Sequence, residues 1–297
     1  CHLKYVYKKV PRYKFKQACQ MSLDKLIIKS ISRDYKLLIK SISRDYNLPL
    51  GELYERYLGI SAGPAEAGLA YEMVVHSVIS KCLYKGELFC TQSVKDLGGS
   101  SSENDLKCNF GVNIEAKKYP NPDWTQIKLE NCDGLNWVCG EGKRLHPEVR
   151  TEFARALPKG TLCTLWDGKV PSFAKNPITH DQWLEEKESF KDEYRTCESS
   201  QISSFYKKKG SAYIQVQKKG LFHTGKDVLD FGVPYFECPQ RFRIRPKVHK
   251  RGDPGCNANL SVTAACQPEG KIEINSPYSL DDPSKLPPSL VYDHNLR

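Results

Sequence analysis

The chain has 297 residues and a formal net charge of +10 at pH 7, from 45 lysines and arginines against 35 acidic residues. This surplus favours a polyanionic partner such as nucleic acid or an acidic membrane surface, although a merely basic soluble protein has the same composition. No apolar run is long enough to cross a bilayer, and the first residues lack the apolar core of a secretory signal. We therefore expect no membrane association and a location inside the cell, in the cytoplasm or nucleus, or in a virus particle.

The twelve cysteines occur singly, without the paired CxxC spacing of structural zinc sites. We expect most of them to be small buried residues with reduced thiols. Cys256 and Cys266, in a segment rich in Gly and Asn, are the pair that an oxidising compartment would allow to join.

Residues 1–50 predict a helical N-terminal arm. The segment IKSISRDY occurs at residues 28–35 and again at residues 39–46, and this eleven-residue period returns each side chain to nearly the same face of a helix. A duplicated helical turn that packs on the core is favoured over a helix that binds a partner.

A core domain is expected over residues 51–250. The segment ISAGPAEAGLAYEMVVHSVISKCLYKG predicts a helix that ends at Gly86 and carries Glu72 near its middle, and ELFCTQSV predicts a strand. The segments DLKCN and VNIEAKK then predict two antiparallel strands, with Phe110 and Gly111 at the bend.

Further elements alternate between helices and strands. HPEVRTEFARAL and THDQWLEEKESFKDEYR predict helices on either side of a short strand, GTLCTLWDG. SAYIQVQKKGLFHTG predicts a hairpin, and YFECPQRFRIRPKVH predicts a final strand. This mixture indicates an α/β or α+β core. Gly, Asn, Pro and Ser become frequent after Lys250, and residues 251–297 are therefore expected to form an irregular tail.

The two predicted strands carry the residues that suggest chemistry. Glu115 and Lys117 lie two residues apart and share a face of their strand. If the strands pair so that Asp105 lies beside them, two carboxylates and an ammonium group meet at one point. Repulsion between the carboxylates would be costly without a divalent cation such as Mg²⁺, which prefers carboxylate oxygens. A lysine there can orient the attacking water or stabilise the charge that develops on a phosphodiester.

This arrangement of Asp105, Glu115 and Lys117, with Glu72 in the segment GLAYE, resembles the motif of the PD-(D/E)xK nucleases over about residues 60–130. Asn104 stands where the motif has proline. The resemblance implies an α/β, restriction-endonuclease-like fold, in which a mixed central sheet is flanked by helices. It also implies Asp105 and Glu115 as ligands of one or two Mg²⁺ ions that Mn²⁺ can replace, Lys117 as the base that positions water, and Glu72 as an auxiliary acid.

The corresponding activity is Mg²⁺-dependent endonucleolytic cleavage of double-stranded DNA. Segments beyond the minimal core favour a sequence-specific restriction-type enzyme, and a homodimer would match a palindromic site. Three alternatives stay open. They are a basic nucleic-acid-binding or structural protein in which Glu115 and Lys117 form a surface pair, an RNA nuclease of the same core, and a scaffold protein with redox-active cysteines.

The C-terminal half of the core supplies the expected nucleic-acid contacts. In RFRIRPKVHKR the basic residues alternate with Phe242 and Ile244, which places them on one face of a strand, either to follow a phosphate backbone or to protect an edge strand. The predicted binding residues are Lys118, Gln126, Lys218, Lys219, Arg241, Arg243 and Arg245. No GxSxG, HExxH, Walker A or GxGxxG pattern occurs, and we therefore expect no nucleotide cofactor.

Overall fold

The computed structural model describes residues 64–97, 103–120, 123–131, 136–141 and 145–296, and the predicted helical arm of residues 1–50 lies outside them. The α-helices in these ranges are α1 (Pro64–Ile79), α2 (Pro147–Ala156), α3 (His180–Glu186) and α4 (Gln201–Lys209). The strands are β1 (Cys82–Tyr84), β2 (Glu87–Leu88), β3 (Leu106–Cys108), β4 (Val112–Lys117), β5 (Thr125–Asn131), β6 (Trp137–Cys139), β7 (Glu193–Thr196), β8 (Tyr213–Val216), β9 (Gly220–His223), β10 (Gln240–Lys250), β11 (Asn259–Pro268) and β12 (Leu290–Tyr292). The fold is therefore mixed α/β, as expected.

A four-stranded sheet with the order β3-β4-β8-β9 contains the predicted strand pair. β3 and β4 are antiparallel, with Leu106 opposite Ile114, and the turn between them has positive φ angles at Phe110 and Gly111. Positive φ at both central residues is the geometry that suits the twist of a tight hairpin. β4 runs parallel to β8, which then forms the predicted hairpin with β9. Both expected hairpins are confirmed.

Helix α1 covers this sheet with Tyr71, Val75 and Ile79, which are buried together with Leu106 and Ile114. The helix ends at Ile79 rather than at Gly86, because the residues after it pair with the C-terminal end of the chain. Strand β1 lies between β2 and β12 in a three-stranded sheet. The predicted strand ELFCTQSV is correspondingly reduced to the two residues of β2.

The second large sheet has five strands in the order β6-β5-β11-β10-β7. Its inner face packs against α2 and α4. Phe153 of α2 and Phe205 of α4 stack with ring centroids 4.2 Å apart, and Phe242 of β10 is fully buried beside both rings. The other face of β10 carries the alternating basic residues, as predicted from the sequence.

The prediction of an irregular tail over residues 251–297 was wrong. β11 lies in the centre of the five-stranded sheet, and β12 pairs with β1. The segment RGDPGCNA, residues 251–258, forms the turn that joins β10 to β11. The inward-facing residues of β11 include the small Ala264 and Cys266, which are buried but give a weak hydrophobic pattern.

Two further predictions were wrong in detail. GTLCTLWDG forms turns and a short 3-10 helix, Leu165–Gly168, that buries Leu165 and Trp166 without joining a sheet. The long helix predicted from residue 179 ends at Glu186, and the last part of the predicted segment forms strand β7, which pairs with β10.

Each cysteine in the described ranges is a free thiol, including the exposed Cys256 and the buried Cys266. None of the helices in these ranges has the length and apolarity that a membrane span requires.

Candidate functional site

The hairpin of β3 and β4 brings the three predicted residues together. Asp105 precedes β3, and its Oδ2 accepts hydrogen bonds from the backbone N–H of Ala116 and from Lys117 Nζ, both at 3.0 Å. Lys117 Nζ also donates to Glu115 Oε2 at 2.8 Å. One ammonium group therefore bridges the two carboxylates, and the register of the hairpin fixes all three side chains.

Helix α4 adds a second lysine to this group. Lys209, the last residue of the helix, donates from Nζ to Glu115 Oε1 at 2.6 Å. The helix ends there because Gly210 adopts a left-handed conformation with φ +87, which only glycine reaches without strain. The Ser211 hydroxyl follows, 3.3 Å from Glu115 Oε1 and 2.5 Å from Asn104 Oδ1. Asn104, which stands where the PD-(D/E)xK motif has proline, therefore helps to hold the Ser211 hydroxyl beside Glu115.

Asp105, Glu115, Lys117 and Lys209 together form an acid–lysine cluster. Its two negative and two positive charges balance, although the side chains are mostly buried. The Glu115 side chain is 1% exposed, and that of Lys209 is 9% exposed. Burial acts to raise the pKa of Asp105, but the charges of Lys117 and Lys209 outweigh it and lower this pKa. Burial and the neighbouring Asp105 raise the pKa of Glu115. The pKa values of the two carboxylates thus differ, and Glu115 takes up a proton before Asp105 does as the pH falls.

Lys117 keeps its proton in this arrangement. Burial acts to lower its pKa, but the charges of Asp105 and Glu115 raise the pKa well above its ordinary value. Its ammonium group lies 5.1 Å from the ring centroid of Tyr206, a distance at which a cation is attracted to an aromatic face. Tyr206 is itself fixed, since its hydroxyl donates to the backbone carbonyl of Trp124 at 2.6 Å.

The acid–lysine cluster opens into a pocket of about 210 Å³ between the two large sheets. Its floor is apolar and includes Phe205 and Val149, while its rim is polar. The lining residues in the described ranges are Asp105, Glu115, Lys117, Asp123, Trp124, Thr125, Gln126, Leu145, Val149, Phe205, Tyr206 and Lys209. Asp105 and Lys117 are the charged groups that the four-stranded sheet presents to a molecule entering the pocket, with side-chain exposures of 17% and 15%.

The five-stranded sheet contributes the opposite rim. Asp123 Oδ2 accepts hydrogen bonds from Arg243 at 2.6 Å and from Arg245 at 3.1 Å. Gln126 accepts from Lys247 Nζ at 3.0 Å. Three of the predicted binding residues, Gln126, Arg243 and Arg245, are thus connected to the pocket that contains Asp105, Glu115 and Lys117.

The remaining predicted residues lie elsewhere. Arg241 is on the same face of β10, with its guanidinium 4.0 Å from the ring centroid of Tyr194. Lys218 and Lys219 form the turn between β8 and β9, and Lys118 follows β4. Glu72 is half-buried on α1, and none of these five residues lines the pocket.

The donor set of the cluster fits Mg²⁺ better than a transition metal. Within the described ranges, no group of three or more His, Cys, Asp or Glu side chains is placed to hold a metal ion. Mg²⁺ usually takes only one or two carboxylates from a protein and keeps several of its waters. Asp105 and Glu115 supply that number of carboxylates at one point.

Sequence reasoning missed two residues of the site. Lys209 is not among the predicted site residues, because the short helix that aims it at Glu115 was not predicted. Asp123 is not among them either, although two arginines on β10 contact it. The alternation of arginines in RFRIRP was the available signal, since half-buried cations on one strand face require an acidic partner.

No protein-family model, no curated protein and no solved structure matches the chain.

Proposed function

We propose that the protein is a Mg²⁺-dependent endonuclease that hydrolyses phosphodiester bonds in double-stranded DNA. The observation that carries this proposal is the convergence of Asp105, Glu115 and Lys117 in one pocket, where a single ammonium group contacts both carboxylates. Two carboxylates and a charged lysine beside an accessible pocket are the groups that metal-assisted phosphodiester hydrolysis requires.

Each residue has a distinct role in this proposal. Asp105 and Glu115 hold Mg²⁺, which when bound supplies an activated water and neutralises charge on the phosphate. Lys117, which carries its proton, donates a hydrogen bond to the developing negative charge and orients the attacking water. Lys209 holds the Glu115 side chain in place through its 2.6 Å contact when no metal is bound. Glu72 as an auxiliary acid remains part of the proposal, although it does not line the pocket.

The rim of the pocket supports a nucleic-acid substrate. Arg243, Arg245 and Lys247 lie on one face of β10, and their hydrogen-bond acceptors Asp123 and Gln126 line the pocket. A phosphate backbone that follows this face would lead a phosphodiester toward Lys117. Sequence-specific cleavage by a homodimer, with double-stranded DNA preferred over RNA, completes the proposal.

A second candidate is a basic nucleic-acid-binding protein without catalysis. It is favoured by the charge balance of the acid–lysine cluster, because Lys117 and Lys209 already neutralise both carboxylates. In that case the cluster is a buried ion-pair network that stabilises the hairpin and the end of α4.

Cleavage assays separate the two candidates. Purified protein is incubated with supercoiled plasmid and with a structured RNA, in Mg²⁺, in Mn²⁺ and in chelator. Asp105→Asn and Lys117→Met are compared with the matched controls Glu103→Gln and Lys208→Met, which change exposed residues close to the site.

Cutting of plasmid that needs the metal, persists in both controls and is lost in both site variants would support the nuclease. Discrete fragments would indicate sequence reading, and light scattering in the presence of DNA would report the dimer. A preference for the RNA would transfer the proposal to an RNA nuclease. Cutting of neither substrate, with salt-sensitive binding unchanged in the site variants, would favour the binding protein.

A further inference from the structure

Two cations on β10 lie beside the pocket, because each donates to a residue that lines it, and neither side chain has a second hydrogen bond among the described residues. Arg245 and Lys247 are two residues apart and therefore share a face of the strand. A guanidinium has five N–H donors and an ammonium has three. Arg245 gives one hydrogen bond to Asp123, and Lys247 gives one to Gln126. Within the part of the chain that the structure describes, the remaining donors of both side chains have no partner and can bind an anion.

Arg243 has a different position in this group. Its side chain is 15% exposed and faces two acids, Asp123 at 2.6 Å and Asp192 at 3.5 Å. The side chain of Arg245 is 31% exposed and contacts Asp123 alone among the described acids. Arg243 thus anchors Asp123, and Asp123 in turn orients Arg245 at the rim.

Positive charge exceeds negative charge at this rim. The pKa of Lys247 is lowered by burial and then by the charges of Arg245 and Arg243.

We propose that Arg245 and Lys247, oriented by Asp123 and Gln126, form a phosphate-binding subsite at the pocket rim that is separate from the acid–lysine cluster. This inference rests on the proposed function, since the phosphate belongs to the nucleic acid whose neighbouring phosphodiester enters the pocket. Guanidinium and ammonium groups provide charge-assisted hydrogen bonds to phosphate oxygens. Arg243 is a positioning residue in this subsite and does not touch the phosphate.

The test measures binding without cleavage. Fluorescence anisotropy of a short labelled DNA duplex is recorded in chelator over a series of salt concentrations for the full chain. The variants are Arg245→Gln and Lys247→Gln. Arg195→Gln is the matched control, because Arg195 carries the same charge on the neighbouring strand β7 but pairs with Glu193 at 3.0 Å and lies opposite Phe242, on the other face of the sheet. Duplexes with and without a 5′-phosphate distinguish a terminal phosphate from one within the backbone.

Each of the two variants is expected to bind about tenfold more weakly, because one charge-assisted contact is lost. The slope of log affinity against log salt is expected to fall by about 0.9 for each. The control should keep both values close to those of the natural chain. An effect present only with the 5′-phosphate would assign the subsite to a strand end, and an equal effect on both duplexes would assign it to an internal phosphate.

Equal losses in all three variants would overturn the subsite and leave only an effect of net charge. No loss in Arg245→Gln and Lys247→Gln would overturn it as well. The proposed function is judged separately, by plasmid cleavage in Mg²⁺. If the natural chain cleaves plasmid but the three variants lose binding equally, or the two β10 variants lose none, only the subsite is refuted. If the two β10 variants alone bind more weakly and the natural chain does not cleave, only the nuclease proposal is refuted.

Discussion

Replacement of Lys209 by methionine should destabilise the fold far more than the same change at its neighbour. Lys209 pairs with Glu115 at 2.6 Å, and both side chains are nearly inaccessible, with exposures of 9% and 1%. Lys208 pairs with Glu148 at 3.9 Å, and both of these side chains are at least half exposed. The two substitutions remove the same charge from adjacent positions of α4, and they differ mainly in burial.

The size of the effect follows from what Glu115 retains. Removing one partner of a buried ion pair costs about 3–5 kcal/mol when the other charge is left alone. Glu115 keeps its 2.8 Å contact with Lys117, and we therefore expect Lys209→Met to lower the free energy of unfolding by about 2 kcal/mol. Lys208→Met should change it by less than about 0.5 kcal/mol, as is usual for exposed pairs.

Urea unfolding followed by tryptophan fluorescence measures both values. A double variant, Lys209→Met with Glu115→Gln, adds a further check, because neutralising the carboxylate removes the uncompensated buried charge. Its cost should be smaller than the sum of the two single costs by about 1 kcal/mol or more. Equal effects of Lys209→Met and Lys208→Met, or strictly additive single costs, would refute the buried pairing.

Two other predictions concern stability. Gly220→Ala should lower the free energy of unfolding by more than about 2 kcal/mol, because a Cβ there would lie 2.5 Å from the carbonyl oxygen of Tyr278. Gly270→Ala, also at positive φ but in open space, should lower it by only about 1 kcal/mol in the same urea assay. The hydrogen bond from Arg155 is the main cause that lowers the pKa of Glu152 from 4.5 to about 2. A carboxyl group whose pKa is lower in the folded than in the unfolded protein stabilises the fold at pH values above the unfolded pKa. This contribution of about 2 kcal/mol should therefore disappear as the pH falls from 4.5 toward 2, and the free energy of unfolding of Glu152→Gln should depend less on pH over that window. A variant with the natural slope would contradict this assignment.

Local sequence signals predicted the part of the site that depends on neighbouring residues. Asp105, Glu115 and Lys117 belong to one hairpin, and the period of two in a strand, together with the turn at Phe110 and Gly111, is sufficient to place them on one side. The basic face of β10 was predictable for the same reason. The alternation of side chains along one strand is enough to place Arg243 and Phe242 on opposite faces of the sheet.

Contacts between distant segments left no such signal. Lys209 follows Glu115 by 94 residues, and its direction depends on where α4 ends. The position of β11 in the centre of a sheet was equally hidden, since its buried residues are small and its flanking turn is rich in glycine. Composition described that turn correctly but concealed the strand that follows it.

The residues found only through the structure are those that decide between the two candidate functions. Asp105, Glu115 and Lys117 alone suggest a metal site with unbalanced negative charge, which is the reasoning that led to Mg²⁺. With Lys209 added, the acid–lysine cluster is neutral before any metal binds. A nuclease must therefore displace at least one ammonium group when Mg²⁺ binds, and Lys209→Met should bind Mg²⁺ more tightly even though it folds less stably. A binding protein has no such requirement, and in it the same substitution should change stability alone, a difference that Mg²⁺ titration by calorimetry would show directly.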